Sequence, residues 1–257
     1  MHALLEGKKG LILGVANANS LAWAIARGAH ESGARLGITY QGERFERRVR
    51  KLVDGAGIDA NLYACDATAP GEMKALFEDV ERDMGTLDFI LHAWAFAPKD
   101  ALSDDFIETS WDDFAISQRV SAYSLVEVAR GARGLLKEGA SVVALSYLGS
   151  QRVVPGYNTM GVAKASLEAG MRYLARDLGP RGVRVNAVSP GPVNTLSARG
   201  VSGFSKMLEN HEEVAPLKRN IEPEEVAGAA VFLFSDLASG ITGEVLYVDA
   251  GYHIMGV

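Results

Sequence analysis

The chain has 257 residues, 48% of them hydrophobic, a net charge of −6 and a pI near 5.5. That content can bury a sizeable core, and with no basic block longer than the cluster from Arg44 to Lys51 the acidic balance excludes a nucleic-acid-binding surface. One cysteine, Cys65, excludes an internal disulfide, and neither a secretory signal nor an apolar run of about 18 residues is present, so no membrane association and a cytoplasmic location are expected.

In chain order, the first strand-like run, Gly10–Leu13, leads into Gly14-Val-Ala-Asn-Ala-Asn-Ser20. Gly14 permits a sharp turn out of the strand, Ser20 is placed to cap a helix over Leu21–Glu31 beside a bound pyrophosphate, and Ala22 is small enough for close helix–sheet packing. The second strand, Leu36–Tyr40, ends at Gln41 without the acidic residue that usually grips the adenosine ribose. A helix over Arg44–Asp54 follows, then a strand over Ala60–Cys65 that runs into Asp66 and Ala67, and a helix over Pro70–Met84. The fourth strand, Phe89–Ala93, precedes Trp94, Ala95 and Phe96, and one long helix is predicted over Trp111–Leu136. Strands at Ser141–Ser146, Val183–Val188 and Val245–Val248 complete the set, with helices over Ala163–Leu178 and Pro223–Ser235.

The strands are short and mostly unalternating, as central parallel strands covered on two faces are. The βα repeat predicts an α/β chain, a single-domain doubly wound Rossmann fold over residues 1–257 with a seven-stranded parallel sheet and helices on both faces. Its ligand crevice would lie at the carboxyl ends of the strands. Pro190–Glu212 breaks the rhythm, shows no clean helix of ordinary length, and is expected to be a functional insertion. The five histidines, His2, His30, His92, His211 and His253, lack ligand spacing, so no metal site is expected.

The segment from Tyr147 to Lys164 carries the most chemistry. Tyr157 and Lys164 are seven apart, and at about 100° per residue that step returns to within roughly 20° of its start, which would place both on one helix face about 10 Å apart along the axis. Met160 stands four residues before Lys164, and its thioether cannot donate a proton.

Leu145-Ser-Tyr-Leu-Gly149, Tyr157-Asn-Thr-Met-Gly-Val-Ala-Lys-Ala-Ser-Leu-Glu168, Arg184-Val-Asn-Ala187, Gly191-Pro-Val-Asn-Thr-Leu196 and Gly243-Glu-Val-Leu-Tyr-Val-Asp249 occur in this order. With them the chain resembles, from Gly14 to Gly251, the bacterial NADH-dependent enoyl-acyl-carrier-protein reductases, a branch of the short-chain dehydrogenase/reductase superfamily. The resemblance implies reduction of trans-2-enoyl thioesters in fatty acid biosynthesis, a substrate carried on acyl carrier protein, and a homotetramer. Tyr157 would donate a hydrogen bond to the thioester oxygen, Lys164 would hold the nicotinamide ribose, and Tyr147 would either assist protonation or wall the acyl chain. Gly14, Ser20, Leu21, Gln41, Asp66, Ala67, Trp94, Lys164 and Thr195 would bind the cofactor. Ala95, Phe96, Tyr147, Tyr157, Met160, Pro192, Val201, Phe204 and Met207 would meet the substrate, with residues 190–212 closing over it. Neutral Gln41 favours NADH, whereas Arg44 could meet the 2′-phosphate of NADPH. Ordinary short-chain dehydrogenases carry tyrosine where Met160 stands, which argues against a carbonyl reductase, the second enzyme reading. A nucleotide-binding regulator without catalysis is the third.

Overall fold

The apolar runs form one sheet of seven strands in the structure, a computed structural model that describes residues 3–103, 105–195 and 203–256. The strands are β1 (Lys9–Leu13), β2 (Arg35–Tyr40), β3 (Ala60–Ala64), β4 (Leu87–His92), β5 (Leu136–Leu145), β6 (Arg184–Pro190) and β7 (Val245–Val248). They lie in the order β3-β2-β1-β4-β5-β6-β7, with every neighbouring pair parallel. Chain order reverses between β1 and β4, whose last residues, Leu13 and His92, sit opposite each other. A crevice opens there because the connections leaving these two strands diverge.

Helices α1 (Leu21–Glu31), α2 (Glu43–Gly55) and α3 (Glu72–Met84) follow the first three strands. Then come α4 (Asp100–Ser103), α5 (Trp111–Gln118), α6 (Ser124–Ala132), α7 (Asn158–Leu178), α8 (Phe204–Val214) and α9 (Pro223–Phe234). Ile25 of α1, Val49 of α2 and Val231 of α9 share one buried core with Ile12, Ile38 and Phe89. On the other face, Phe77 of α3, Val128 of α6 and Leu167 of α7 pack on Leu11, Ile90 and Val142. Each such side chain stabilises the fold by about 1.5–3 kcal/mol relative to exposure. With both faces covered, the unalternating strand sequences are accounted for.

Three segments differ from the sequence expectation. Trp111–Leu136 is not one helix: a π-helical turn at Arg119–Tyr123 separates α5 from α6, α6 ends at Ala132, and Leu136 already belongs to β5, opposite Leu87. Helical periodicity records the apolar stripe but cannot register a local i→i+5 widening. The expected irregular stretch 190–212 instead contains the start of a clean helix, α8, of 11 residues, whose more buried face carries Phe204, Met207, Leu208, His211 and Val214 at helical spacing. Finally, α7 begins at Asn158, five residues earlier than the Ala163 expected. Its first turn contains Gly161, a weak helix former, retained because a Cβ there would lie 2.8 Å from the Gly149 carbonyl oxygen.

Phe89 stacks on Phe234 with centroids 4.3 Å apart, and a Cβ added at Gly10 would lie 2.0 Å from the Phe89 ring. Gly10→Ala should therefore destabilise the protein by about 1–3 kcal/mol. Gly228, on the exposed side of α9 with no heavy atom within 4 Å of an added Cβ, should on substitution by alanine gain about 0.4–1 kcal/mol. Urea denaturation of both variants checks the pair, and coincident midpoints would remove packing against Phe89 as the reason for Gly10.

Candidate active site

Gly14 leaves β1 with φ +99°, and an added Cβ would meet the Ala93 carbonyl oxygen at 2.9 Å and the Trp94 ring at 3.1 Å. Only glycine fits this close approach of the β1 and β4 ends. Six residues on, Ser20 caps α1: its Oγ donates to the Asn17 carbonyl at 2.8 Å and accepts from Trp23 N–H at 3.3 Å. Leu21 opens the helix, half-buried, and Ala22 is buried. A glycine turn that brings the chain to a helix N-terminus at a switch point suits a pyrophosphate.

Past β2, exposed Gln41 donates from Nε2 to Asp66 Oδ2 at 2.8 Å, while Asp66 Oδ1 accepts from the amide (2.8 Å) and hydroxyl (2.7 Å) of Thr68. The Thr68 hydroxyl chiefly, with Gln41 and the Thr68 amide, holds the Asp66 carboxyl below its ordinary range despite partial burial. Asp66 thus closes its own turn and presents a negative charge beside Gln41. Ala67 is buried behind it. Thr195 is half-buried after β6, and Trp94 packs edge-on against His92 with centroids 5.8 Å apart.

Of the three side chains expected to carry the chemistry, Tyr147 lies in the turn after β5, Tyr157 at the N-cap of α7 and Lys164 within α7. Lys164 is 4% exposed, and its Nζ donates to the Leu145 carbonyl at the end of β5, 2.7 Å away. Burial pulls the ammonium down to about 8, while the carboxylate of Glu168 pulls it back up. Tyr157 does not share a helix face with Lys164 as the spacing suggested. It occupies the N-cap of α7 (φ −105°, ψ −26°), and Asn158 follows with φ +32°, a conformation asparagine tolerates. The turn, with Tyr157 N–H on the Val154 carbonyl at 3.1 Å, aims the phenol. Its ring lies over Gly149, where a Cβ would come within 2.5 Å of it, and meets the Tyr147 ring edge-on at 4.8 Å. Burial, with Tyr147 adding to it, holds the Tyr157 phenol well above its ordinary range, and burial followed by Tyr252 pushes Tyr147 up to about 12. At neutral pH the site therefore offers two neutral phenols and a cation.

Tyr147 also points its hydroxyl at Met207 Sδ, 3.3 Å away, across a cavity of about 390 Å³ lined by Val154, Pro192, Met207, His211 and Tyr252 among others. Of the expected substrate residues, Tyr147, Pro192 and Met207 line this cavity. Met160 is buried, within 3.5 Å of Ser121 Oγ, and Phe204 is buried at the start of α8. Ala95 and Phe96 stand exposed beyond β4, and Val201 lies outside the described residues. Arg44 is exposed near the start of α2.

A family model described as Enoyl-(Acyl carrier protein) reductase matches residues 14–253. The NADH enoyl-acyl-carrier-protein reductase of Bacillus cereus is 52% identical over 254 residues, 98% of this chain and 99% of that protein. A crystal structure of the Bacillus cereus enzyme with NADP+ and an indole naphthyridinone superposes with a TM-score of 0.96 at 51% identity, covering 99% of each chain. The Anaplasma phagocytophilum enzyme in complex with NAD gives 0.96 at 43%, covering 100% of this chain and 98% of that one. The chain belongs to the enoyl-acyl-carrier-protein reductase family.

Within this reductase, several polar residues that sequence reasoning passed over support the site. The π-helical turn places Ser121 and Ser124 against the end of β4. Ser121 Oγ accepts from Phe96 N–H at 2.9 Å, and Ser124 Oγ lies 2.8 Å from His92 Nε2. Because Ser124 donates to the Val120 carbonyl at 2.6 Å, His92 Nε2 is the donor in that contact and Nδ1 is left as a buried acceptor without a partner among the described residues. Glu168, 3% exposed, accepts hydroxyls from Ser146 and from Ser150, the latter at 2.7 Å. A carboxyl one turn beyond Lys164 on a helix facing the sheet was a readable signal for it. His211, 2% exposed, stacks on Tyr252 and closes one side of the cavity, held down in proton affinity chiefly by burial, which Asp249 and Asn220 oppose. No local pattern marked it.

Burial, aided by the Lys164 charge, pushes His92 down from 6.5 to about 3. Folded His92 stays neutral as pH falls below 6.5 while the unfolded chain takes up its proton, so stability is lost in that direction, by up to about 1.4 kcal/mol per pH unit for one proton. His92→Gln should remove this component from urea unfolding measured between pH 7 and pH 4. An unchanged slope would mean that His92 titrates in the folded protein.

Proposed function

We infer that this protein reduces trans-2-enoyl thioesters on acyl carrier protein to saturated acyl thioesters with NADH, a step of fatty acid biosynthesis. Family membership supports the reaction class. The observation that carries the residue assignment is the pairing of two neutral phenols with a buried ammonium, where Met160 replaces a proton donor.

NADH, when bound, supplies the hydride for the β-carbon of the enoyl group. Gly14 and the capped N-terminus of α1 take the pyrophosphate, and Lys164 holds the nicotinamide ribose. As negative charge grows on the thioester oxygen, the Tyr157 hydroxyl donates to it, and the Lys164 charge favours the same change. Tyr147 walls the acyl chain together with Met207, and the enolate takes the proton its α-carbon needs from water, so that hydride and proton together saturate the double bond. The cavity's apolar lining accepts a fatty chain and discriminates length weakly, about 0.8 kcal/mol per methylene. The ionised Asp66 beside Gln41 opposes a ribose 2′-phosphate, which supports NADH over NADPH. A cytoplasmic location accords with the free, buried thiol of Cys65.

Loss of reduced-nicotinamide absorbance with crotonyl and longer enoyl thioesters tests this reading. Tyr157→Phe should lower kcat about 100-fold, the size of losing one oxyanion donor, and NADH should exceed NADPH at least about tenfold in kcat/KM, equivalent to about 1.4 kcal/mol. Turnover of acetoacetyl thioester alone would make the protein a carbonyl reductase. NADH binding without turnover of either would make it a regulator.

The protein is further read as a homotetramer joined through α5 and α7. Trp111, 75% exposed on α5, and Tyr173, 73% exposed on α7, support that reading, since large aromatics left to solvent are characteristic of contact surfaces. Sedimentation should give four chains, and Trp111→Asp together with Tyr173→Asp should give fewer. A wild-type monomer in solution would overturn it.

A further inference from the structure

Glu168 is a buried carboxylate next to Lys164 for which the reduction, as derived above, has no use; another buried carboxylate near the cavity, Asp249, is taken up by the Gly251 and His253 amides and the His253 ring. Glu168 lies one helical turn beyond Lys164, 3% exposed, and both hydroxyls it accepts come from the segment that follows β5, Ser146 and Ser150. Lys164 grips the same segment at the Leu145 carbonyl. Tyr147 therefore sits on a short stretch that α7 holds from both sides, with Gly161 packed against the Gly149 carbonyl between those anchors.

Anchoring alone does not require a carboxylate. A glutamine carbonyl would accept the same two hydroxyls at a much smaller desolvation cost. A buried negative charge is retained where something nearby profits from it, and the cation one turn away on the same helix is the group that does. We propose that Glu168 is a positioning residue of the reduction, serving at once as the counter-charge of Lys164 and as the anchor of the segment that carries Tyr147. This rests on the reading of Lys164 as the group that holds the nicotinamide ribose.

The ionisable groups around the pair act in a consistent direction. On α7 itself only Glu168 raises Lys164, against burial. Tyr157 at the start of α7 and Tyr147 on the anchored segment stay neutral. His92, on β4, feels the Lys164 charge and stays neutral. From β7, Tyr247 faces Glu168 and is pushed up by burial first and then by Glu168, with Asp249 and Glu244 adding and Arg152 opposing. Among the described residues, no carboxylate other than Glu168 raises Lys164.

The test is the pH dependence of NADH dissociation from the full-length protein, followed by NADH fluorescence from pH 6 to pH 10. Wild type should weaken as Lys164 loses its proton, near pH 8. Glu168→Gln should move that limb down by about one pH unit, the lower end of the effect of a nearby charge. Glu168→Asp, which draws the charge back by one methylene, should move it part of the way, and carries the test alone if the glutamine variant does not fold. Lys164→Met should have no limb at all. A limb abolished in Lys164→Met but coincident with wild type in the folded Glu168 variants overturns the proposal, as does binding weakened uniformly across pH, the mark of a merely structural role. A limb that survives in Lys164→Met refutes the reading of Lys164 itself, and with it the proposal.

Discussion

Much of the local architecture follows from burying one ammonium. Lys164 is withdrawn from water at the carboxyl edge of the sheet, where desolvation of a charge costs several kcal/mol unless hydrogen bonds and an opposite charge offset it. The offset comes from the last carbonyl of β5 and from Glu168 on the next turn of α7. Both require α7 to lie close on the end of β5, and two glycines permit it. Gly161 admits the Gly149 carbonyl, and Gly149 admits the Tyr157 ring. Side chains at either position would push the phenols away from the ammonium, so backbone proximity, charge placement and phenol position form a single constraint.

The same edge explains the irregularity in the helical layer before β5. A continuous α-helix over 111–132 would keep its serines in a 3.6-residue register. The π-helical turn instead lets Ser121 reach the Phe96 backbone while Ser124, three residues on, reaches His92. β4 and the chain leaving it are thereby tied to the helix at two points beside Trp94. Rigidity there matters because Gly14 approaches the Ala93 carbonyl with no room for a Cβ, and a shift of the β4 end would narrow the crevice from one side. π-bulges recur at functional sites, and this one lies where α5 and α6 meet the end of β4.

How much of this was legible depended on range. All seven strands were readable from composition and spacing, since fully covered parallel strands are the least ambiguous apolar runs when turn signals bound them. Gly14 and Ser20 were readable because a positive-φ turn and a helix cap are decided within a few residues. The failures were of two physical kinds. Backbone irregularities, the π-helical turn and the left-handed Asn158 that removes Tyr157 from the helix face, are stabilised by tertiary contacts and leave no periodic trace. Buried polar residues such as His92 and His211 acquire their roles from what packs over them, and a lone histidine reads the same whether it is buried neutral or exposed. Glu168 lay between these cases. Its spacing from Lys164 was visible, but its burial was not.

The environment of the phenols bears on why the chemistry is enoyl rather than carbonyl reduction. Reducing a ketone creates an alkoxide, a strong base that must take a proton from its partner within the site, and a tyrosine serves that purpose when a neighbouring cation lowers its proton affinity. Reducing an enoyl thioester creates an enolate, whose charge is shared with carbon and which needs a hydrogen bond to oxygen more than a proton there. Tyr157 is suited to the second task. Burial, with Tyr147 adding to it, keeps its proton in place, as a group proposed to donate a hydrogen bond through the transition state without ionising requires. Four residues before Lys164, where a proton donor would be needed for the first task, stands a buried thioether close to Ser121. Placing the tyrosine three residues earlier takes it out of α7 and into a turn, over Gly149 and against Tyr147, and the proposed role of hydrogen-bond donor needs a phenol that keeps its proton there.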